Sequence, residues 1–208
     1  MRITASLIII FLTFQNLFGQ NRNDFYTSFS ESGIKHNLNF DDNGIVRIGS
    51  IRRHMSPFYS LSGKYKKVGD SIYIEMDKIN SFDLTEAKKF GFESFSEMEI
   101  VLYQNESELI DPKNRTVYAT SRRLNRKRIK RKSIAFINGK KYVYERLVTD
   151  GYGLIRREPR KNRRFEKALS KVLENPEEYE TNVIRGLTAY KKYGLIGING
   201  VSIINKKN

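Results

Sequence analysis

His36-Asn37-Leu38-Asn39-Phe40 and Ile45-Val46-Arg47-Ile48 flank Asp41-Asp42-Asn43-Gly44, a cluster of turn-forming side chains that closes on a glycine able to take positive φ. The stretch predicts a β-hairpin. Downstream, Phe58-Tyr59-Ser60-Leu61-Ser62-Gly63-Lys64-Tyr65 and Ser71-Ile72-Tyr73-Ile74-Glu75-Met76 alternate with the strand period around Val68-Gly69-Asp70, which predicts a second hairpin. Glu99-Ile100-Val101-Leu102-Tyr103 and Thr116-Val117-Tyr118-Ala119 are further candidate strands, and Thr85 to Phe90 a short helix. An antiparallel meander of roughly six strands, curled into a sandwich or partial barrel, buries one face of each, so residues 20–120 are expected to form a β-rich domain.

The side chains of this half offer little chemistry. A calcium loop starting at Asp41 needs a glutamate at its twelfth position, where Arg52 stands, so 41–44 is read as a turn. His54, beside Met55-Ser56-Pro57, is read as a loop residue. The chain has no cysteine and only two histidines, His36 and His54, which excludes disulfides, thiolate zinc sites, iron–sulfur clusters and cysteine nucleophiles. No spacing brings a particular pair of carboxylates together for acid–base work. A non-catalytic protein with no metal and no cofactor is expected.

At the start, Met1-Arg2 precedes a largely apolar run of twelve residues, Ile3 to Phe14, followed by Gln15-Asn16 and the small residue Gly19. A membrane-spanning helix needs about twenty residues, whereas a signal peptide needs an apolar stretch of roughly 7–15. Residues 1–19 are therefore read as a signal peptide, and the mature chain as exported and not an integral membrane protein.

The formal net charge is +15, and its distribution matters more than its sum. Arg122, Arg123, Arg126, Lys127, Arg128, Lys130, Arg131 and Lys132 place eight cations in eleven residues without an acid, so 121–132 is read as a basic linker. A second cluster holds Arg156, Arg157, Arg160, Lys161, Arg163, Arg164 and Lys167 against Glu158 and Glu166. Together they carry thirteen of the fifteen net charges. Such clusters attract polyanions by counterion release. No nucleic-acid motif accompanies them, and export argues against a nucleic-acid partner, which leaves anionic lipid, glycan or an acidic protein surface.

Beyond the basic segment, Ser133-Ile134-Ala135-Phe136-Ile137, Asn138-Gly139 and Lys140-Lys141-Tyr142-Val143-Tyr144-Glu145 read as strand, turn, strand. Phe165, Leu169, Val172 and Leu173 recur at helical spacing and stop before Asn175-Pro176. Asn182 to Gly186 reads as a short strand, Leu187 to Tyr193 as a helical turn or two, and Gly200 to Ile204 as the last strand. The run Gly194-Leu195-Ile196-Gly197-Ile198-Asn199-Gly200 feeds a strand rather than a helix and lacks the lysine and hydroxyl residue of a phosphate-cradling loop.

The C-terminal run from Ala189 through Tyr193-Gly194 and Gly197-Ile198-Asn199-Gly200-Val201 to Lys207 resembles the closing segment of the plug domain of TonB-dependent outer-membrane receptors. Ala135-Phe136-Ile137-Asn138-Gly139-Lys140 is similar to an earlier strand and turn of that family, with Asn138 in place of the usual acid. Asn175-Pro176 followed by Val183-Ile184-Arg185-Gly186 resembles its next strand, in the same order. The resemblance covers roughly residues 133–207. It implies a plug-like α/β domain over 133–208 with Tyr193, Gly194, Gly197, Asn199 and Gly200 as fold-specifying positions, in the periplasm or at the outer membrane of a Gram-negative bacterium, with an envelope protein as partner. No barrel follows in this chain, and the insertion from Leu147 to Lys161 departs from the family's compact pattern. The chain as a whole is thus expected to be α+β, a β-rich domain followed by a plug-like one, acting through protein contact or, alternatively, as a polyanion-binding module.

Overall fold

The 41–44 turn forms as its side chains dictate. Asp41 Oδ1 accepts hydrogen bonds from the backbone N–H groups of Asn43 and Ile45, both at 2.9 Å, and Gly44 takes φ +78°. The turn joins β2 (His36–Phe40) to β3 (Ile45–Ser50), with Leu38 opposite Ile48. In the computed structural model, which describes residues 25–33, 35–51, 58–149 and 154–207, this hairpin is one step of a longer meander. The expected signal peptide and His54 lie outside the described residues.

The meander continues through β4 (Ser60–Val68), β5 (Ser71–Met76), β6 (Glu99–Asn105), β7 (Glu108–Asp111) and β8 (Thr116–Thr120), and it begins with β1 (Tyr26–Phe29). β1 pairs antiparallel with β8, from Tyr26 opposite Thr120 to Phe29 opposite Val117, and so closes an eight-stranded barrel. This corrects the expected sandwich or partial barrel. Closure needed β1 and β7, four residues each, too short and too polar to show a strand period.

The inward residues of alternate positions, among them Leu38, Val46, Ile48, Leu61, Ile74, Ile100, Leu102 and Leu109, form one buried cluster that fills the barrel. Tight turns at 41–44, 69–70 and 106–107 close one end. At the other, residues 77–98 fold back through α1 (Leu84–Lys89) and a 3₁₀ turn (Glu93–Phe95), burying Ile79, Ala87 and Phe92. Phe92 and Phe95 come to rest edge-on against the His36 ring, at 6.3 and 5.2 Å between centroids.

Under that cover a buried polar chain crosses three strands. His36 Nδ1 lies 3.1 Å from Ser28 Oγ and Nε2 lies 3.1 Å from the Tyr118 hydroxyl. Burial pushes the imidazole down to a pKa of about 4 and the Tyr118 phenol above its usual range, so the ring is neutral. Both ring nitrogens are partnered by hydroxyls. The chain thus ties β1, β2 and β8 together inside the barrel.

The second half builds a four-stranded sheet in the order β10 (Lys140–Glu145), β9 (Lys132–Ile137), β14 (Val201–Lys206), β13 (Tyr179–Ile184), in which β14 runs parallel to β9. Asn138 and Gly139 make the β9–β10 turn, as expected from their dipeptide, and Asn138 Oδ1 also accepts from the backbone N–H of Lys206. β11 (Val148–Thr149) and β12 (Ile155–Arg157) form a separate two-stranded ribbon within the 147–161 insertion. α3 (Arg163–Glu174) starts on an Asn162 cap, and α4 (Gly186–Tyr193) leads into the glycine-rich run. The expected α+β chain with a plug-like α/β domain is therefore corrected. The described residues are mostly β, a closed barrel with a smaller sheet, and the helices among them are few and short.

The two sheets share a core. The outward residues Val117 and Ala119 of β8 meet Leu124, Ile129, Leu187 and Ile198, so every residue of β8 is buried. Leu124 and Ile129 come from the basic segment, which folds as α2 (Ser121–Asn125), capped where Thr120 Oγ1 accepts from Arg123 N, and a 3₁₀ stretch (Arg126–Arg131). Residues 121–132 thus anchor the junction. Asn199 completes it by donating from Nδ2 to the carbonyls of Ile129 and Lys132 at 2.8 and 3.0 Å. Replacing Asn199 by Ala leaves both carbonyls without that donor and is expected to cost about 1–3 kcal/mol, read as a lower midpoint in urea unfolding; an unchanged midpoint would refute this role.

Candidate functional site

The structure brings the two basic clusters together. The Arg131 side chain leaves the end of the 3₁₀ stretch and donates from Nη2 to the carbonyls of Arg157 and Glu158, at 2.9 and 3.4 Å. Both partners sit in or just after β12, so one guanidinium ties the segment 126–132 to the segment 155–164. Glu145, at the end of β10, lies between them. Its Oε2 accepts from the backbone N–H of Arg160 at 3.1 Å, and Arg128 Nη1 stands 3.9 Å from Oε1. That N–H, with the charges of Arg131, Arg160 and Arg128, holds the Glu145 carboxyl below the usual range.

The remaining cations divide by role. Arg122, Arg126, Lys130, Arg157, Arg160, Lys161, Arg163 and Arg164 are exposed, and Arg128, Arg131 and Lys132 are half-buried. Arg123 is turned away from this face. Its Nε donates to the buried Glu108 at 2.9 Å and its Nη2 to Glu106 at 3.1 Å, which makes it part of the joint between barrel and sheet. The side chains of Lys127 and Arg156 lie outside the described residues. A face with this many arginines against Glu145, Glu158 and Glu166 presents planar donor forks to acceptor oxygens, the arrangement suited to phosphate, sulfate or carboxylate groups.

Two contributors had no sequence signal. Arg146 follows β10 and donates from Nη2 to the Lys130 carbonyl at 3.1 Å and to Asn199 Oδ1 at 3.3 Å. Lys35, from the β1–β2 connection, sets its ammonium 4.9 Å from the centroid of the Phe29 ring. Both are single cations in ordinary surroundings, and only the tertiary fold gives them neighbours.

The glycine-rich residues serve the frame. The Tyr193 ring packs against Phe136 at 5.6 Å between centroids, Gly194 ends α4, and the Gly197 backbone passes so close to α4 that a Cβ there would stand 2.6 Å from the Ala189 carbonyl oxygen. Gly200 precedes β14, and Asn199 holds the basic segment as described. Beside the basic face a cleft of about 340 Å³ opens between Tyr144–Leu147 and Pro159–Glu166, floored by the stacked rings of Tyr144 and Phe165, 4.2 Å apart. Among the described residues no group of three His, Asp or Glu side chains is placed to hold a metal ion, and no helix is long and apolar enough to cross a membrane.

No family model and no curated protein matches the chain. Among solved structures, an uncharacterized protein from Bacteroides eggerthii aligns with a TM-score of 0.33 and 12% identity over 48% of this chain and 98% of its own. A lipocalin-like protein from Bacteroides uniformis aligns with a TM-score of 0.33 and 11% identity over 49% of this chain and 96% of its own.

Proposed function

We propose that this chain is an exported, non-catalytic binding protein whose basic face holds an anionic lipid or glycan. The observation that carries the reading is the bridge from Arg131 to the carbonyls of Arg157 and Glu158, because it merges two charge clusters into one surface. Export is supported by the apolar run from Ile3 to Phe14. Binding of this kind rests on released counterions, so it weakens with salt. Retention on vesicles containing an anionic phospholipid, or on a sulfated glycan, is expected to fall by roughly tenfold or more between about 50 and 200 mM salt. Substituting Gln at Arg126, Arg157, Arg163 and Arg164, all exposed, is expected to remove most of it while leaving the unfolding midpoint in place. Retention that ignores salt and survives these substitutions sinks the reading.

A second reading is contact with an envelope protein, as the resemblance of residues 133–207 to receptor plugs implies. The feature that favours it is β13, an edge strand whose residues from Glu180 to Val183 are all exposed. Capture of an envelope protein that survives high salt, with no retention on either anionic surface, favours this reading over the first.

A further inference from the structure

The insertion from 147 to 161 leaves three large aliphatic side chains uncovered. Leu147 is 55%, Leu154 65% and Ile155 53% exposed, and none of them belongs to a buried cluster among the described residues. The topology supplies the reason. β11 and β12 pair with each other, Val148 opposite Arg157 and Thr149 opposite Ile155, and join neither of the larger sheets. A two-stranded ribbon of this length is too small to build a core of its own. Single exposed aliphatics are ordinary, whereas several on one short ribbon mark a surface that something else covers.

The ribbon is held at the basic face. Arg131 Nη2 ties β12 by the carbonyls of Arg157 and Glu158, at 2.9 and 3.4 Å, and just beyond them the Arg160 N–H donates to Glu145 Oε2 at 3.1 Å. At the base of the ribbon, Leu147 lines the 340 Å³ cleft together with Pro159 and Arg160, above the stacked Tyr144 and Phe165 rings. Aliphatic and cationic side chains therefore share one surface, and both Arg157 and Arg160 are exposed there. That mixture selects the partner. A glycan offers hydroxyl and charged groups and would leave the aliphatics in water. An anionic bilayer satisfies both: its phosphates accept from the guanidinium groups, and the acyl boundary roughly 5–10 Å deeper takes up the apolar side chains.

We propose that the β11–β12 ribbon inserts Leu147, Leu154 and Ile155 into the interfacial zone of an anionic membrane. The inference rests on the reading of the basic face as an anion-binding surface, and it selects lipid over glycan as the partner of that face. The arginines draw the chain to the charged surface, and the ribbon supplies the contact that only a bilayer can make.

The chain contains no tryptophan, so Leu154→Trp places a single reporter on the ribbon, and Tyr73→Trp places one on the exposed wall of the barrel as a control. With vesicles of phosphatidylcholine and phosphatidylglycerol, Leu154→Trp is expected to shift its emission to the blue and to be quenched by lipids brominated on the acyl chain, and Tyr73→Trp to do neither. In the tryptophan-free chain, Leu147→Ser combined with Ile155→Ser is expected to weaken co-sedimentation with these vesicles by about tenfold or more. Retention on a sulfated glycan and the urea midpoint are expected to stay as in the parent. Vesicle-bound Leu154→Trp without a blue shift, or equal co-sedimentation of the parent and the doubly substituted chain, overturns the insertion and leaves the basic face standing. Retention on the sulfated glycan with none on the vesicles also overturns it and gives the face to a glycan, and retention on neither removes the wider reading as well. Self-association of the free chain that the same two substitutions abolish gives the patch to a second copy and likewise overturns the insertion.

Discussion

Acidification from pH 7 to pH 4 is expected to remove about 3 kcal/mol of folding stability through His36 alone. Burial beneath Phe92 and Phe95 lowers the pKa of this imidazole from 6.5 to about 4. Above pH 6.5 the ring is neutral whether the chain is folded or not, and the full stability is present. Below that value the unfolded chain takes up a proton that the folded chain refuses, so stability falls until the pH reaches about 4 and the folded ring also titrates. Carboxylates held below their usual range, such as Glu31 and Glu145, add their losses at lower pH. The signature of His36 is therefore a slope confined to pH 6.5–4. Urea unfolding across this range measures it, and His36→Gln is expected to flatten it. Because the chain has only two histidines, the ring resonance of His36 can also be followed directly, and a midpoint near 6.5 in the folded protein would refute the assignment.

The second large effect is expected at the joint between the barrel and the sheet. Gly186 opens α4 with φ +58°, and a Cβ there would lie 2.6 Å from the Glu31 nitrogen and 2.8 Å from both the Arg115 oxygen and the Ser30 carbonyl carbon. All three are backbone atoms and cannot swing aside. Around them, Arg115 donates to Glu31 at 2.6 Å and to Thr188 Oγ1 at 2.7 Å, Thr188 donates to Glu31 at 2.6 Å, and Leu187 N donates to the Arg115 carbonyl. Gly186→Ala must push α4 off the barrel or strain it in place, at a cost of roughly 2–5 kcal/mol. Gly139→Ala is the matched control. Gly139 also has positive φ, +77°, but nothing stands within 4 Å of its missing Cβ, so only the conformational cost of about 1 kcal/mol is expected. Equal losses for the two variants in urea unfolding would mean that Gly186 is not a point of close approach.

The hairpins were legible because their information is local. Asp41 to Gly44, Gly69-Asp70 and Asn138-Gly139 carry the turn chemistry in their own side chains, and the flanking runs alternate. The α3 helix was equally plain from Phe165, Leu169 and Val172. Closure was not, since it depends on Tyr26–Phe29 finding Thr116–Thr120 across some ninety positions, and nothing in either segment encodes the other. Nor was the joint visible. Val117 and Ala119 look like the second face of any half-buried strand, and the burial of Leu124 and Ile129 was hidden among cations that resemble a solvated linker. For the candidate site, composition displayed the two clusters but not the Arg131 bridge, the diversion of Arg123 to Glu108, or the arrival of Lys35 and Arg146. These are long-range contacts of single side chains, which leave no periodicity to read.

β8 belongs to two interiors at once, with Tyr118 turned to one and Val117 and Ala119 to the other. A cut at Thr120 would therefore leave the barrel with a bare greasy flank and deprive the sheet of its floor. Any recombination that grafts one half onto another scaffold therefore has to carry this ribbon and a substitute for whatever it leaned on.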